Sequence, residues 1–423
     1  MTGITRRRFG ILSGASITAL ALPTYLRAQG KPKVVVVGGG AGGSTAARYI
    51  AKDSDGAIDV TLIDDSEQFT TCFFSNLYLG GFRDFASITH SYDKLQSDYG
   101  ITKVTGRAVA IDRDAKTVRM ADGVTVPYDR LVVSPGIDLI WDSVPGYSEE
   151  ASLVAPHAWK AGPQTRLLKE KLDAIGNGQQ ILMVTPPNPY RCPPAPYERA
   201  SMMAHLLKAK GVDAKIIILD PKEKFSKQAL FSEGWENHYP GMIEWYGPTV
   251  HGGIESVDPD AGTVETGLDT FHGDLLNIIP AQKAGTIAAE AGLTDDSGFC
   301  PVEADSMRSE IDDAIFVIGD ASNAGAMPKS GFAANSQAKV AAMTIRGELT
   351  ASKVFPARYS NSCWSLIEAD DAVKVGAQYV PQDGEIVSTH SFISQTDEAP
   401  ALRKATYEES LGWYKGITAD MFG

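Results

Sequence analysis

Short apolar runs, each bounded by glycine, proline or polar residues, recur along the chain after residue 30. The clearest of them are Val34–Val37, Val60–Ile63, Leu131–Val133, Ile181–Val184, Ile216–Leu219 and Ile315–Ile318. Continuous apolar runs of this length predict strands that are buried on both faces. Segments with helix-like spacing follow several runs, at Ser44–Ala51, Tyr197–Lys210 and Ala338–Arg346. The pattern therefore predicts strands that alternate with helices.

A glycine-rich loop, Gly38–Gly43, separates the first predicted strand from the first predicted helix. It matches G-x-G-x-x-G, in which the glycines allow a tight turn, close approach of a pyrophosphate and close strand–helix packing. The following helix start offers N–H groups to phosphate. Asp64 ends the second strand about 20 residues further on, where a ribose-binding carboxylate is expected. We predict that a dinucleotide is bound by Gly38, Gly40, Ala41, Gly43 and Asp64.

The first 28 residues have the composition of an export signal. Three arginines, Arg6–Arg8, precede the apolar run Ile11–Leu22, and small residues surround Ala28. This order is typical of a twin-arginine signal, although a disordered basic tail is the alternative. An apolar run of about 12 residues is too short for a membrane span, which needs about 20. We predict export to the periplasm and a mature chain without an integral membrane segment.

Charge and length limit the classes of partner and architecture. The formal net charge of −13, from 39 basic and 52 acidic residues, becomes −17 when residues 1–28 and their four arginines are removed. Such an acidic chain is not expected to bind nucleic acid. The remaining length, about 395 residues, suggests two or three domains.

Two later segments would return the chain to the predicted dinucleotide site. Tyr128–Gly136 is a buried strand that ends in a turn at Gly136, and Ile315–Asp320 is a strand that ends in Gly319 and Asp320. A carboxylate at position 320 could bond a ribityl hydroxyl. The small-residue helix Ala338–Arg346 follows, and its start could face a ring that is negatively charged when reduced.

These segments, in this order, resemble the flavoproteins with two dinucleotide-binding domains, the glutathione-reductase-like class. The resemblance implies FAD and an α/β fold with two Rossmann-like domains plus a C-terminal α+β interface domain. The implied boundaries are a signal at 1–28, an FAD-binding domain at 31–150 and 276–346, a second Rossmann-like domain at 151–275 and the interface domain at 347–423.

The second domain departs from that class at its own nucleotide loop. The strand Gln180–Val184 runs into Thr185–Pro194, which contains five prolines and no glycine. Proline has no N–H to donate and its ring prevents close approach of a phosphate. We predict that this domain has no nucleotide site and that electrons do not come from NAD(P)H; a divergent loop that still binds the nucleotide is the alternative.

Four cysteines, Cys72, Cys192, Cys300 and Cys363, could take over the redox role. They are too few for a disulfide scaffold, but export permits bridges. Three complete pairings are possible, and the residues alone do not choose among them. Cys192 lies in the proline-rich loop, Cys363 follows the last flavin-facing helix, and Cys72 lies in a loop near the first domain's expected ring site.

The sequences around the cysteines carry a closer resemblance. The matching segments are Thr71-Cys72, Arg191–Ala200, Phe299–Val302, Met327–Gly331, Ser362-Cys363 and the ending Trp413–Gly423. They resemble the flavoprotein subunit of flavocytochrome c sulfide dehydrogenase. The resemblance implies FAD linked covalently to the Cys72 sulfur, a redox-active Cys192–Cys363 disulfide, an inorganic sulfur substrate and a mono- or dihaem cytochrome c subunit. A purely structural bridge between Cys192 and Cys363 is the alternative to a redox-active one. Cys300 is interpreted as a small apolar residue. Ser322 stands where relatives in that family carry a cysteine.

Two charged residues are candidates beside the cysteines. Glu198 lies six residues after Cys192, near the first turn of a helix that begins close to Pro196, and could move a proton if burial raises its pKa. Its alternative role is a surface acid at a helix start. Lys329 could stabilise an anionic reduced flavin, or be a solvated lysine.

Three functions remain open from the sequence. The first is a periplasmic enzyme that oxidises HS⁻, which can attack a disulfide sulfur, to polysulfide or sulfur and reduces a cytochrome c. The second is a sulfide:quinone oxidoreductase at the membrane surface, although Ala399–Gly423 lacks the long apolar face of an anchor. The third is a flavin-bearing partner without turnover. No C-x-x-C-H haem motif occurs, and the seven histidines show no metal-ligand spacing, so we predict no metal.

Overall fold

The computed structural model describes residues 30–423, in which strands and helices alternate over most of the length. The predicted export signal, residues 1–28, lies outside the described residues. Residues Pro32–Gly423 form one unit. The strands are β1 (Lys33–Val37), β2 (Asp59–Asp64), β3 (Gln68–Thr70), β4 (Thr89–Ser91), β5 (Thr102–Thr105), β6 (Ala108–Asp112), β7 (Thr117–Met120), β8 (Thr125–Pro127), β9 (Arg130–Val133), β10 (Ile137–Ile140), β11 (Gln180–Val184), β12 (Lys215–Leu219), β13 (Ile243–Tyr246), β14 (Ile254–Asp258), β15 (Thr263–Thr266), β16 (Thr270–His272), β17 (Leu275–Ile278), β18 (Ala281–Ala284), β19 (Cys300–Pro301), β20 (Ile315–Val317), β21 (Ser322–Asn323), β22 (Tyr359–Glu368), β23 (Asp371–Gln382) and β24 (Glu385–Ile393). The α-helices are α1 (Ala41–Asp53), α2 (Ser75–Leu79), α3 (Asp93–Tyr99), α4 (Pro163–Asp173), α5 (Ala195–Ala209), α6 (Gln228–His238), α7 (Pro248–His251), α8 (Thr286–Glu290), α9 (Gly331–Thr350) and α10 (Pro400–Phe422).

The first parallel sheet has the strand order β20-β9-β1-β2-β5. Val36 of β1 is paired with Leu62 of β2 on one side and with Val132 of β9 on the other. All three side chains are fully buried, as expected for central strands of a parallel sheet with both faces covered. Strand β20 comes from much later in the chain, so the two segments predicted to form the FAD-binding domain share this sheet.

The second parallel sheet has the order β13-β12-β11-β17. Ile181 of β11 and Ile216 of β12 are paired and fully buried. They share a core with residues of α4, α5 and α6, including Leu168 and Leu207. The predicted α/β fold with two Rossmann-like sheets is confirmed.

The last segment combines the antiparallel sheet β22-β23-β24 with the long helix α10. The apolar pattern did not indicate β22, because its inward positions include the polar Asn361 and Ser365. Helix α9 also begins earlier than predicted, at Gly331 rather than Ala338. Ser330 is its N-cap, since the Ser330 hydroxyl accepts from the N–H of Ala333 at 3.0 Å.

Residues 30–423 contain neither a candidate membrane-spanning helix nor a candidate metal-binding cluster. No helix in that range is long and apolar enough to cross a membrane. No group of three or more metal-ligating side chains is found there either, and the absence of a metal stays a prediction.

Candidate active site

The glycine loop after β1 forms one wall of an open cleft. Gly38 has φ +99°, and a Cβ there would lie 2.1 Å from the carbonyl oxygen of Ser134. A Cβ on Gly43 would lie 1.7 Å from the carbonyl oxygen of Gly38. Only glycine fits either position. Gly40 is the N-cap of α1 and Ala41 is its first residue, so the free N–H groups of this helix face the cleft.

The cleft has a volume of about 1330 Å³. It collects most of the predicted cofactor-binding residues from separate strand ends. Its lining includes Gly38, Gly40, Ala41, Asp64, Cys72, Gly136, Gly319, Asp320, Ser330 and Gly331. Gly43 is not in the lining and lies in the first turn of α1, where it allows the helix to pack against the loop.

Two carboxylates lie on the cleft, the half-buried Asp64 and the buried Asp320. Asp64 accepts hydrogen bonds from the N–H groups of Gly39 at 2.6 Å and Ser66 at 3.0 Å, and burial raises its pKa. Asp320 lies with Oδ2 3.6 Å from a guanidinium nitrogen of Arg191. Its Oδ1 is buried and has no hydrogen-bond partner among the described residues. An orphaned buried acceptor of this kind indicates a missing donor, such as a ligand hydroxyl.

A second cavity, of about 840 Å³, adjoins the cleft, since the two share five lining residues. The shared residues are Cys72, Phe73, Arg191, Ser330 and Gly331. The second cavity is mostly apolar, with several aromatic walls, and it contains Cys192, Cys363 and Glu198. The structure thus brings three predicted catalytic residues together beside the predicted cofactor site.

Cys192 and Cys363 meet although 171 positions separate them. Cys192 lies in the loop after β11 with φ +84°, held by its N–H donating to the carbonyl of Lys329 at 2.8 Å. Cys363 lies in the middle of β22 and is 8% exposed. Both are thiols in the structure, and the two side chains are hydrogen-bonded to each other. The disulfide between them stays a prediction.

The two thiols differ in acidity. The hydrogen bond that the Cys192 thiol donates to the Cys363 sulfur raises the pKa of Cys192 and lowers the pKa of Cys363 to about 7, and Lys227 and Asn361 also lower the latter. The amide of Asn361 lies 3.5 Å from the Cys363 sulfur. In the reduced pair, Cys363 is therefore the more acidic thiol.

Glu198 lies in the first turn of α5 and is held on both oxygens. Its Oε2 accepts from the amide of Asn76 at 2.8 Å, and its Oε1 accepts from the N–H of Leu366 at 3.0 Å. Burial raises the pKa of Glu198 above its usual range. A buried carboxylate beside the cysteine pair is suited to proton transfer near neutral pH.

The side chain of Lys329 lines neither cavity. Its ammonium donates to the carbonyl of Ser322 at 2.7 Å and lies 3.6 Å from the centre of the Phe299 ring. Burial lowers the pKa of Lys329 to about 8. What reaches the site is its main-chain carbonyl, which accepts from the N–H of Cys192.

Cys72 lies between β3 and α2, where the cleft and the second cavity join. Its carbonyl accepts from the Ser75 hydroxyl at 2.6 Å, which fixes the loop. Burial raises the pKa of the Cys72 thiol, and the nearby Arg191 offsets part of that effect. Cys300 is fully buried and lines neither cavity, in agreement with the role of a small apolar residue.

Two residues of the site were not predicted. Arg191 belongs to the segment Arg191–Ala200 that carries the family resemblance, but no role was predicted for it; it lines both cavities and approaches Asp320. Lys227 precedes α6 and donates to the carbonyl of Cys363 at 3.1 Å. The position of Arg191 directly before Cys192 could have predicted that Arg191 belongs to the site. No local sequence pattern predicts the same for Lys227.

Side chains fill the ends of the strands in the second sheet, where a second nucleotide would bind in related folds and where we predict no nucleotide site. Asp220 follows β12 and is fully buried. It accepts from the Tyr197 hydroxyl at 2.5 Å and the Trp245 ring at 3.0 Å, and pairs with Lys222 at 2.7 Å. Lys222 also donates to the carbonyl of Pro186 at 2.6 Å. These contacts favour the predicted loss of the nucleotide site, which stays a prediction.

Three family models match the chain. A pyridine nucleotide-disulphide oxidoreductase model matches residues 32–179. The central model of the sulfide dehydrogenase (flavocytochrome c) flavoprotein chain matches residues 165–280, and the flavocytochrome c sulphide dehydrogenase flavin-binding model matches residues 356–422. A stretch of 47 residues is 51% identical to the sulfide dehydrogenase (flavocytochrome c) flavoprotein chain of Chlorobaculum thiosulfatiphilum, covering 11% of this chain and 96% of that one. The chain belongs to this flavoprotein family.

More distant similarities extend over more of the chain. The mitochondrial sulfide:quinone oxidoreductase of Dictyostelium discoideum is 23% identical over 310 residues, 69% of this chain and 65% of that protein. The sulfide-quinone reductase of Aquifex aeolicus is 30% identical over 186 residues, 43% of this chain and 41% of that protein. The chain thus matches less than two thirds of the length of these relatives. The structure of the Aquifex aeolicus sulfide:quinone oxidoreductase superposes with a TM-score of 0.69 at 18% identity and covers 92% of each chain, which shows a common fold.

The flavin-binding family model indicates FAD, and the residues present fit that cofactor. The glycine loop lines the cleft without side chains, and Asp320, which also lines the cleft, has an oxygen with no hydrogen-bond partner among the described residues. Gly38, Gly40 and Ala41 would hold the pyrophosphate, Asp64 a ribose and Asp320 a ribityl hydroxyl. The N-terminus of α9 lies at the junction of the two cavities, where it would favour negative charge on a ring.

Proposed function

We propose that this protein oxidises sulfide to polysulfide or sulfur through a Cys192–Cys363 disulfide and FAD, and that it passes the electrons to a cytochrome c subunit in the periplasm. The observation that carries the proposal is the contact between Cys192 and Cys363 inside a cavity that adjoins the glycine-lined cleft. Membership of the flavocytochrome c sulfide dehydrogenase flavoprotein family supports the substrate class.

The cysteine pair supplies the first chemical step. The hydrosulfide ion attacks one sulfur of the disulfide and forms a new S–S bond to it. The original S–S bond breaks, and its electron pair stays on the sulfur of the other cysteine, which leaves as a thiolate. The products are a cysteine persulfide and a cysteine thiolate, so atoms, electrons and charge balance. When bound, FAD accepts an electron pair and releases electrons singly.

Glu198 is proposed to handle the proton. A persulfide that forms in the cavity carries one proton, and the buried carboxylate of Glu198 can remove it without access to bulk water. Asn76 and Leu366 hold the carboxylate in place by their two hydrogen bonds. The apolar walls of the cavity, including Phe73 and Trp413, limit water at the sulfur atoms.

Cys72 is proposed to hold FAD covalently through its sulfur. Its place at the junction of the two cavities supports this, because a bound ring would pass that point. The test is acid precipitation of the purified protein. Yellow colour that stays with the polypeptide and maps to the Cys72 peptide supports the link, and release of all the flavin contradicts it.

The acceptor distinguishes two candidate enzymes. The similarity to sulfide:quinone oxidoreductases favours a quinone, whereas the flavocytochrome c family match favours a cytochrome. Purified protein is given sulfide without oxygen, and cytochrome c or a soluble quinone is then added in parallel. Preferred reduction of cytochrome c supports the proposal. Preferred reduction of the quinone supports the alternative, and a flavin that stays oxidised with sulfide supports a partner protein without turnover.

A further inference from the structure

Lys227 is a buried cation at the back of the cysteine pair. The residue precedes α6, has φ +62°, and is 5% exposed. Its ammonium donates to the Cys363 carbonyl at 3.1 Å, the Ser365 hydroxyl at 2.8 Å and the Val373 carbonyl at 3.5 Å. All of these acceptors are uncharged. A buried ammonium on neutral acceptors is costly, and burial lowers the pKa of Lys227 to about 8.

The charged groups around the pair are arranged asymmetrically. Lys227 is fixed to β22, the strand that carries Cys363, and it favours negative charge on that sulfur. Glu198 faces the pair from α5 and opposes negative charge on Cys192. Tyr379, from β23, is a further titratable group near Cys363. Arg191, which precedes Cys192, is a cation that favours negative charge on Cys192, yet the pKa of Cys192 is raised and that of Cys363 is lowered. The field across the pair therefore favours a thiolate at Cys363 over one at Cys192.

Exposure and backbone conformation indicate the same direction. Cys192 is half-buried and lies in a proline-rich loop with a positive φ, whereas Cys363 is buried inside a sheet. The Cys363 sulfur also lies within reach of the Asn361 amide. The Ser330 hydroxyl donates to Oδ1 of Asn361 at 2.5 Å, so the amide nitrogen is the end free to donate to sulfur. The sulfur of the less buried residue is suited to be attacked, and a sulfur whose thiolate is stabilised is suited to leave.

We propose that Lys227 is the positioning residue that directs sulfide to Cys192, by stabilising the thiolate that departs on Cys363. The inference rests on the proposed function and deepens it. Hydrosulfide forms a bond to the Cys192 sulfur, the Cys192–Cys363 bond breaks, and its electron pair stays on Cys363. The negative charge thus moves from the incoming sulfur to a sulfur beside the fixed cation.

The first test needs no sulfide and therefore does not depend on the proposed activity. Lys227→Met removes the charge and keeps most of the side-chain volume, Lys227→Arg keeps the charge, and Lys222→Met removes another buried lysine away from the cysteines. Each holoprotein is equilibrated with dithiothreitol buffers, and the Cys192–Cys363 couple is quantified by alkylation and mass spectrometry. At pH 7.5, where Lys227 is still mostly charged, we expect Lys227→Met to lower the equilibrium constant for reduction about threefold, which is about 15 mV more negative. The arginine variant and Lys222→Met should stay near the wild type.

The pH dependence of alkylation gives a second measure on the reduced proteins. Because thiolate reacts and thiol does not, labelling of Cys363 should rise with pH through about 7 in the wild type. In Lys227→Met the rise should move to higher pH, so that the thiolate-to-thiol ratio at pH 7 falls about tenfold. A wild-type rise at the ordinary thiol value of 9.0, or a methionine variant with unchanged potential and pH profile, would overturn the proposal. The wild-type profile remains decisive if the methionine variant does not fold.

The direction of attack is tested with sulfide on the oxidised wild type. A brief sulfide pulse is stopped with an alkylating agent, and the persulfide is located by peptide mapping. A persulfide on Cys192 supports the inference, and one on Cys363 refutes it. A protein that does not react with sulfide contradicts the proposed function, while the dithiothreitol and alkylation measurements still decide the role of Lys227.

Discussion

Replacing Glu198 by glutamine tests its proposed role in proton transfer. The hydrogen bonds of Glu198 allow the expected loss of stability to be separated from the expected loss of catalytic rate. Both carboxylate oxygens accept, from Asn76 at 2.8 Å and from Leu366 at 3.0 Å. A glutamine has one acceptor end and one donor end, so one of these donors must face another donor. A buried donor left unpaired costs about 1–3 kcal/mol. Rotation of the Asn76 amide does not relieve this, since Arg199 donates to its oxygen at 3.2 Å.

The catalytic effect should exceed the structural one. A domain is stable by about 5–15 kcal/mol, so a loss of about 1–3 kcal/mol leaves Glu198→Gln folded well below its unfolding temperature. Loss of a general acid or base lowers rates by about 10²–10⁴. We therefore expect sulfide turnover to fall at least about 100-fold. Burial raises the pKa of Glu198. Because the deprotonated carboxylate is the base, the activity of the wild type should rise as the pH passes this raised pKa. The Glu198→Gln variant should lack this rise.

The assay combines sulfide-dependent cytochrome c reduction across pH with urea unfolding. Glu348→Gln is the control, because Glu348 is paired with Arg130 at 2.7 Å and lines neither cavity. This control should change stability without changing the pH profile of turnover. A Glu198→Gln enzyme that keeps wild-type rate and pH dependence would refute the assignment of Glu198 as the proton carrier.

Three further changes have expected outcomes. Cys72→Ser should let flavin dissociate on acid precipitation while the native protein still binds it, and retained colour would exclude the link. Gly43→Ala should abolish folding or flavin binding, as judged by soluble yield and absorbance, since its Cβ would lie 1.7 Å from the Gly38 carbonyl oxygen; a soluble, yellow variant would contradict the geometry. Lys329→Met should lower the melting temperature through loss of its Phe299 contact, yet change turnover less than about tenfold, and a larger kinetic loss would indicate a direct role.

The sequence predicts the cofactor cleft well because its determinants are local. An apolar run, a glycine loop and a carboxylate at fixed spacing are all visible in a single window, and the structure places Gly38 and Asp64 on one cleft. Strand β22 was not predicted because Asn361 and Ser365 occupy inward positions and break the apolar alternation. The start of α9 was predicted too late in the chain, because Pro328 and Gly331 are typical of a loop. The Ser330 hydroxyl caps the helix only when the backbone of residues 330–333 is folded as a helix start.

The catalytic cavity depends on contacts that no window contains. The residues alone left three pairings of the four cysteines open, and family resemblance supplied the pair that the structure brings together. Lys227 reaches Cys363 across 136 positions, so its role follows from packing of α6 against β22. The contact of the Lys329 ammonium with the Phe299 ring was not predicted for a similar reason, and the role of Lys329 beside a reduced flavin stays a prediction.

The central claim is that Cys192 and Cys363 form a disulfide that sulfide reduces. The most direct measurement is peptide mapping of the oxidised holoprotein, denatured in an alkylating agent without reductant, before and after sulfide. We predict a cross-linked species joining the Cys192 and Cys363 peptides, which disappears when sulfide is added under anaerobic conditions. Alkylation of both cysteines in oxidised, turnover-competent protein would contradict the account.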